Sequence, residues 1–184
     1  NLINIPDSAL FYYLQENYPR VIFNDSLDVY SSHLITSLDF NFDEIHSLEG
    51  LDSCTNIQSI IINGTSISDA SLNNLISIQT ALGVLIISDN ASINSLEVAP
   101  LNGLDELNIQ FTNIEFININ LPGWVGFIEI SNNSNLELID GLGGHEGLNM
   151  LYISGNENLS QISGTTLSNS YNESGFIGEG TVTV

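Results

Sequence analysis

The residues that could bind a metal or act as a general base are few and widely spaced in this chain. It contains three histidines, His33, His46 and His145, and none has a second histidine four residues away, the spacing that places two ligands on one face of a helix. His145 is followed by Glu146 but then by Gly-Leu-Asn, so it does not begin the zinc-binding pattern His-Glu-x-x-His. The sequence therefore predicts surface or turn histidines and no metal site.

Nucleophiles and paired acids give no sign of catalysis either. The single cysteine, Cys54, lies just before an aliphatic repeat start, which favours a small buried core residue over a reactive thiol. The chain has no Gly-x-Ser-x-Gly motif and no phosphate-binding glycine loop. An acid–base pair of carboxylates would need a pocket that raises the pKa of one of them, and the sequence defines no such pocket. The sequence thus predicts no catalytic residues, no cofactor and no enzymatic activity.

The charge of the chain excludes several classes of partner. Its 184 residues include 22 Asp and Glu against a single Lys or Arg, Arg20, which gives a formal net charge of -21. Because nucleic-acid binding needs Lys and Arg to displace counterions from phosphates, a nucleic-acid partner is excluded. No apolar run approaches the ~20 residues that cross a bilayer, and no signal-peptide pattern opens the chain. We therefore expect no membrane insertion and, for an exported protein, a signal already removed.

Two stretches near the C-terminal end indicate that the chain is built from repeats. Residues 127–141 (FIEISNNSNLELIDG) and 150–164 (MLYISGNENLSQISG) match at seven positions when they are aligned at an offset of 23 residues. Their pattern of spaced aliphatic residues followed by an asparagine is that of a leucine-rich repeat. Six repeats are predicted over residues 35–164, and they begin near Ile35, Ile57, Leu82, Leu104, Val125 and Leu148.

Each repeat is predicted to contribute one strand to a parallel sheet, with alternate side chains pointing into the core. The inward pairs are Leu38 and Phe40, Ile60 and Ile62, Leu85 and Ile87, Leu107 and Ile109, Ile128 and Ile130, and Leu151 and Ile153. A short polar residue after each strand should turn inward and bond the backbone of the tight turn. These residues are Asp43, Thr65, Asn90, Thr112, Asn133 and Asn156, and the next inward residues are Ile45, Ile67, Ile93, Ile114, Leu136 and Leu159.

The segments outside the repeats are predicted to cap them. Residues 1–34 should form an N-terminal helical cap and link, with a helix over 3–19 that carries Pro6 and Asp7 in its first turn and an extended connection over 21–30. The rest of the chain, residues 165–184, is predicted to be a strand-like C-terminal cap or the start of a following module.

A further short helix is predicted in the second repeat, on the convex side. Ser68 or Asp69 should cap it, because short polar side chains accept hydrogen bonds from the free N–H groups of a first helical turn. Its apolar residues are Leu72, Leu75 and Ile76.

A series of short motifs opens the chain: Ile5-Pro6-Asp7, Thr36-Ser37-Leu38, Ile45, Ser47-Leu48-Glu49-Gly50-Leu51 and Thr55-Asn56-Ile57. In this order they resemble the N-terminal cap and first repeat of secreted bacterial leucine-rich-repeat surface proteins. The nearest in style are cell-surface repeat proteins of Bacteroidetes-like bacteria, and internalin-type adhesins are more distant. The later repeats resemble receptor L-domain repeats, and the resemblance covers roughly residues 3–164.

This resemblance implies export, exposure at the cell surface and a binding role, usually adhesion or capture of a protein or glycan, without catalysis. It implies no particular ligand residues, because the matching positions are structural. The predicted fold class is an α/β repeat solenoid of the leucine-rich-repeat type. Such a fold has a parallel concave β-sheet, an N-terminal helical cap and an irregular convex side.

The candidate binding residues are those that strand alternation turns outward on the concave sheet. Several are apolar although they should face water, and contiguous apolar residues with a polar rim mark binding surfaces. The alternative explanation is that strand propensity alone favours such residues there. The predicted site consists of Ile61, Val84, Ile86, Asn108, Phe127, Glu129, Met150 and Tyr152.

A protein or peptide is the predicted partner of this surface. Two alternatives stay open at this point: a glycan, bound with or without the help of calcium, and a role as an acidic spacer without a ligand inside a longer surface protein.

Overall fold

The computed structural model describes residues 1–41, 44–99, 102–120, 123–142, 148 and 150–163. Within them the chain folds as a parallel β-solenoid with few helices. Its elements are β1 (Leu2–Ile3), α1 (Ser8–Asn17), β2 (Ile22–Phe23), β3 (Ser26–Asp28), a 3-10 turn (Ser32–Leu34), β4 (Ser37–Asn41), β5 (Ser59–Asn63), α2 (Asp69–Ser77), β6 (Val84–Ser88), β7 (Ser95–Val98), β8 (Leu104–Gln110), β9 (Phe116–Ile119), β10 (Val125–Ser131), β11 (Leu138–Asp140), β12 (Met150–Ser154) and β13 (Gln161–Ile162). The predictions for Asp43, His145 and residues 165–184 fall outside the described residues.

The main sheet contains six strands from successive coils, in the order β4, β5, β6, β8, β10 and β12. All neighbouring pairs are parallel. The register is the one that the repeat alignment predicts, and the residues that lie side by side across the sheet include Leu38, Ile60, Leu85, Leu107, Ile128 and Leu151. The coils therefore stack in register, which is the geometry of a solenoid.

The predicted inward residues form the core, with two corrections. Every inward strand residue is buried except Leu151, and every predicted turn residue from Ile45 to Leu136 is buried, whereas Leu159 is half-buried. Leu151 and Leu159 both belong to the last described coil, and β12 forms one edge of the sheet. A coil at the edge has a neighbour on one side only, so its inward side chains keep more contact with solvent.

The side of the solenoid away from the main sheet corrects a prediction. The sequence predicts an irregular convex side, but β7, β9, β11 and β13 form a second parallel sheet of four strands. Its buried residues join the same hydrophobic core as those of the main sheet. The reason is that these turn segments also alternate apolar and polar residues, as in Leu96 and Val98 around Glu97, and alternation suffices for a strand when the next coil supplies its partner.

The second coil carries a helix in place of such a strand, as predicted. Helix α2 buries Leu72, Leu75 and Ile76. Ser68 occupies the N-cap position but its side chain makes no capping hydrogen bond, whereas Asp69 Oδ1 accepts one from the Ala70 N–H at 2.9 Å.

The N-terminal segment is more β-rich than the sequence predicts. Helix α1 spans Ser8–Asn17 and not residues 3–19, because Asp7 is its N-cap and the chain before it is extended. Strand β1 pairs antiparallel with β3, which also pairs with β2, so the predicted extended connection is a small three-stranded sheet. The apolar face of the helix is present as predicted, since Leu10 and Leu14 are fully buried.

Two tyrosine hydroxyls of this segment cover the free edge of the main sheet. Strand β4 is an edge strand of the main sheet, and among the described residues no strand lies beside its outer side. The Asp39 N–H donates to Tyr13 Oη at 2.9 Å, and Tyr18 Oη bonds both the N–H and the carbonyl of Ser37. The Tyr13 ring also packs edge-on against Phe40, with 4.8 Å between ring centroids. The hydroxyls therefore take the place of a neighbouring strand and block edge-to-edge pairing.

Asp7 links helix α1 to the first coil. Its Oδ1 accepts from the Leu10 N–H at 3.0 Å, while Oδ2 accepts from the N–H groups of His46 at 2.8 Å and Ser47 at 3.0 Å. Partial burial by itself would raise the pKa of Asp7, but these N–H groups and that of Ala9 favour the charged form. Together they hold the pKa below its ordinary value of 3.8. The carboxylate thus contributes stability when it is ionised.

We expect Asp7→Asn to lower the free energy of unfolding by about 1–3 kcal/mol at pH 7, because an amide nitrogen cannot accept the bonds that Oδ2 accepts. The pKa of Asp7 is depressed in the folded protein. The contribution of Asp7 to the free energy of unfolding is therefore fully present above pH 3.8, and it is lost as the pH falls through the lower pKa of the folded state. The difference in melting temperature between the two proteins should therefore shrink with acidification. A difference that stayed constant down to acid unfolding would contradict this role of the carboxylate.

Candidate functional site

The solvent-facing side of the main sheet, here called the outer face, carries all eight predicted site residues. Two rows of side chains cross it, and the parallel register places the members of each row side by side. The first row is Ser37, Ser59, Val84, Glu106, Phe127 and Met150, and the second is Asp39, Ile61, Ile86, Asn108, Glu129 and Tyr152.

The structure brings the apolar members of these rows together in two groups. Ile61 lies beside Ile86 in the second row, and Val84 precedes Ile86 on the same strand by two residues, so all three share one patch. Phe127 lies beside Met150, which is 47% exposed and is followed two residues later by Tyr152. Apolar side chains that lie side by side on a regular sheet and are only partly buried are a starting point for partner binding.

The polar residues between the two groups are held in place by hydrogen bonds. Asn108 Nδ2 donates to Glu129 Oε2 at 3.4 Å, and Ser131 Oγ donates to Glu129 Oε1 at 3.2 Å. Gln110 Nε2 donates in turn to Asn108 Oδ1 at 2.8 Å. The Glu129 carboxylate is therefore oriented before any partner arrives, which lowers the entropic cost of using it for binding.

A third row of residues ends the strands in the left-handed backbone conformation, which the sequence did not predict. The positive φ angles are 67° at Gly64, 51° at Asp89, 51° at Phe111, 57° at Asn132 and 63° at Gly155. Glycine, asparagine and aspartate adopt this conformation readily, whereas for a bulky side chain it is strained. Phe111 is nevertheless 55% exposed, so neither backbone preference nor burial explains an aromatic residue here.

The single tryptophan, Trp124, is an exposed aromatic residue that strand alternation did not identify. It is 45% exposed and lies just before β10. A Cβ atom at Gly126 would lie 2.9 Å from Cη2 of the indole and 2.5 Å from the carbonyl oxygen of Asp105. Glycine at position 126 thus leaves room for the indole to lie against the strand that carries Phe127. The signal in the sequence is this glycine, which lies between Val125 and Phe127 within β10.

The cysteine and the possible metal ligands can be located in the described part of the chain. Cys54 is fully buried, and burial raises the pKa of its thiol to about 12, so it is a core residue as predicted. Among the described residues, no group of three or more His, Cys, Asp or Glu is placed to hold a metal ion. Within the same residues, no helix is long and apolar enough to span a bilayer.

Comparison of the chain with protein-family profiles and with curated proteins found no match.

Proposed function

We propose that this chain is a recognition module of the leucine-rich-repeat type, displayed outside the cell, that binds a protein or peptide on the outer face of its main sheet without catalysing a reaction. The observation that carries the proposal is the outer face itself. It is a regular sheet surface on which apolar and aromatic side chains lie side by side, with an oriented carboxylate between them. Such surfaces bind partners through a few aromatic or aliphatic anchors surrounded by polar residues.

The repeat assignment is supported by the buried polar residues that follow the strands. Thr65, Asn90, Thr112, Asn133 and Asn156 occupy equivalent positions and are all buried. Asn90 Oδ1 accepts from the N–H groups of Ser92 at 2.8 Å and Ile93 at 3.1 Å, and its Nδ2 donates to Thr65 Oγ1 in the preceding coil at 3.1 Å. These hydrogen bonds are the kind expected of a short polar residue that follows each strand and bonds the backbone of the turn. The capping role of helix α1 is supported by the two tyrosine hydroxyls that cover the edge of β4.

The proposal is tested by selecting peptides from a random display library on the immobilised protein and measuring their affinity for wild type and variants. Ile86→Asp and Tyr152→Ala should each weaken binding of the selected peptides by about tenfold or more, because hot-spot side chains contribute about 2 kcal/mol or more. The control is Tyr12→Ala, which removes a 64% exposed tyrosine from helix α1. Peptides that bind all three variants as tightly as wild type would overturn the proposal.

A further variant separates binding from folding. Phe111→Gly relieves the strained φ angle, so it should leave the melting temperature unchanged or raise it. A loss of peptide affinity in this variant could not then be attributed to unfolding, and it would assign Phe111 to the binding surface.

A further inference from the structure

We infer that the outer face binds a basic segment, with a Lys or Arg side chain of the partner over the Phe127 ring between Glu106 and Glu129. This inference rests on the proposed function and names the chemical class of its partner. It begins from the C-terminal half of the outer face, where six residues on three neighbouring strands form a grid. The grid consists of Glu106 and Asn108 on β8, Phe127 and Glu129 on β10, and Met150 and Tyr152 on β12.

Aromatic and acidic residues alternate across this grid. Phe127 lies beside Glu106 on the neighbouring strand and two residues before Glu129 on its own strand. Glu129 in turn lies beside Tyr152. Neighbouring strands are separated by about 4.8 Å and alternate residues of one strand by about 6.8 Å, so a cation within about 6 Å of the ring centroid also reaches both carboxylates. Each component attracts a cation, and an aromatic ring beside a carboxylate suits the flat guanidinium of arginine.

The chain has almost nothing of its own to neutralise these carboxylates. Arg20 is its only Lys or Arg, set against 22 acidic residues, and it lies between helix α1 and β2, far along the chain from the grid. Among the described residues, the donors that bond the Glu129 carboxylate are those of Asn108 and Ser131, and both are neutral. These bonds orient the charge without cancelling it. The complementary partner surface is therefore positive, and charge complementarity would also speed association.

Two features of the grid distinguish this arrangement from a merely acidic surface. First, the aromatic residues are in the same rows as the carboxylates, so the partner must supply a cation and a stacking or apolar contact together. Second, a further aromatic residue lies close by in the chain, since Trp124 is 45% exposed and packs beside Gly126, the residue before Phe127. A segment that alternates basic and apolar residues fits this pattern, because side chains two residues apart in an extended segment lie on the same side.

The test uses two octapeptides with the whole chain: one of alternating arginine and leucine, the other of alternating glutamine and leucine. Binding is followed by calorimetry and by the fluorescence of Trp124, the only tryptophan in the chain. The arginine peptide should bind about tenfold or more tightly than the glutamine peptide, and its affinity should fall steeply between about 50 mM and 300 mM salt, where screening lengths become short. It should also change the fluorescence of Trp124.

Matched variants locate the binding. Glu129→Gln and Phe127→Leu should each weaken binding of the arginine peptide by about three- to tenfold, through loss of one charge and of the cation–ring contact respectively. Glu97→Gln removes the same charge from an exposed position on β7, in the second sheet, and should leave the affinity within about twofold of wild type. Circular dichroism and melting curves check that all variants are folded.

The outcomes separate this inference from the proposed function. Equal weakening by Glu97→Gln and Glu129→Gln would mean diffuse attraction to an acidic protein and would overturn the inference. Equal binding of the two octapeptides would also overturn the inference. A third contrary result would be library-selected peptides that are neutral and whose binding depends on Ile86 and Tyr152. That result would overturn the inference but leave the proposed function standing. If no peptide of either kind depends on the outer face, the proposed function fails as well.

Discussion

Replacing Asn133 with leucine should lower the free energy of unfolding by about 3–5 kcal/mol, because the fully buried amide serves three coils at once. Its Oδ1 accepts from the N–H of Thr112 at 3.0 Å and from Thr112 Oγ1 at 2.7 Å. Its Nδ2 donates to the carbonyls of Ile109 at 3.0 Å and Ser131 at 3.1 Å and to Asn156 Oδ1 at 3.2 Å. Leucine has a similar volume but leaves these buried groups without partners, at about 1–3 kcal/mol for each group that finds no other.

The measurement is urea denaturation of wild type, Asn133→Leu and Asn135→Ala, followed by circular dichroism. Asn135 lies two residues further along the same turn and is exposed, so its replacement should change the free energy of unfolding by no more than about 0.5 kcal/mol. Equal midpoints for the two variants would show that the buried asparagine does not hold the coils together.

Gly141→Ala should destabilise the protein by about 3 kcal/mol or more, because two separate costs coincide at this position. The residue follows β11 with a φ angle of 81°, where an L side chain is strained. An added Cβ would also lie 2.2 Å from the carbonyl oxygen of Ile119, the last residue of β9 in the preceding coil. That oxygen belongs to the backbone of a strand in the second sheet, so the clash can be relieved only by separating the coils.

Gly155→Ala is the matched comparison. Its φ angle of 63° gives a similar strain, but the added Cβ would meet Asn132 Oδ1 at 2.5 Å, the end of an exposed side chain that can rotate away. Its cost should therefore be limited to about 1–2 kcal/mol. Melting temperatures of the two variants give the comparison directly, and equal losses would mean that backbone strain alone, without the clash between coils, determines the effect.

The main sheet and its register were predictable because they depend on a pattern that recurs in every coil. Leu107 and Ile109 occupy the same phase as Ile128 and Ile130, and a shift by one residue would expose all of them, so one register is strongly preferred. The buried asparagines were predictable for the same reason. A polar residue that recurs among aliphatic ones indicates backbone groups in every turn that need a hydrogen-bond partner.

The parts of the fold that escaped prediction depend on contacts between distant segments. Strand β1 has only two residues. It forms because Leu2 and Ile3 pair antiparallel with Asp28 and Leu27 of β3. The second sheet consists of segments of two to four residues, too short for periodicity to distinguish strand from turn. The Tyr13 hydroxyl bonds Asp39, 26 residues away, and nothing in the local sequence of helix α1 indicates that partner.

The sequence was enough to predict which residues of the candidate site face outward, but not the backbone conformation at Phe111 or the position of Trp124. Alternation identified Ile86 and Tyr152 as outward residues, and the register supplied their neighbours. The strained backbone at Phe111 could not be predicted, because left-handed conformations are signalled by glycine and asparagine and not by an aromatic residue. The position of Trp124 beside Gly126 could not be predicted from alternation, because Trp124 lies before β10 and not within it.

The central claim is that successive coils stack in register, so that the outward residues of the six strands of the main sheet form one surface. It is tested most directly by the distance between spin labels attached at Asp39→Cys on β4 and Tyr152→Cys on β12, the two edge strands of the main sheet. Cys54 will not compete for the label, because it is fully buried and its pKa is raised to about 12. Five strand spacings of about 4.8 Å predict a single distribution centred at about 24 Å. A distribution centred beyond about 40 Å, or split into two, would contradict the stacking and with it the proposed binding surface.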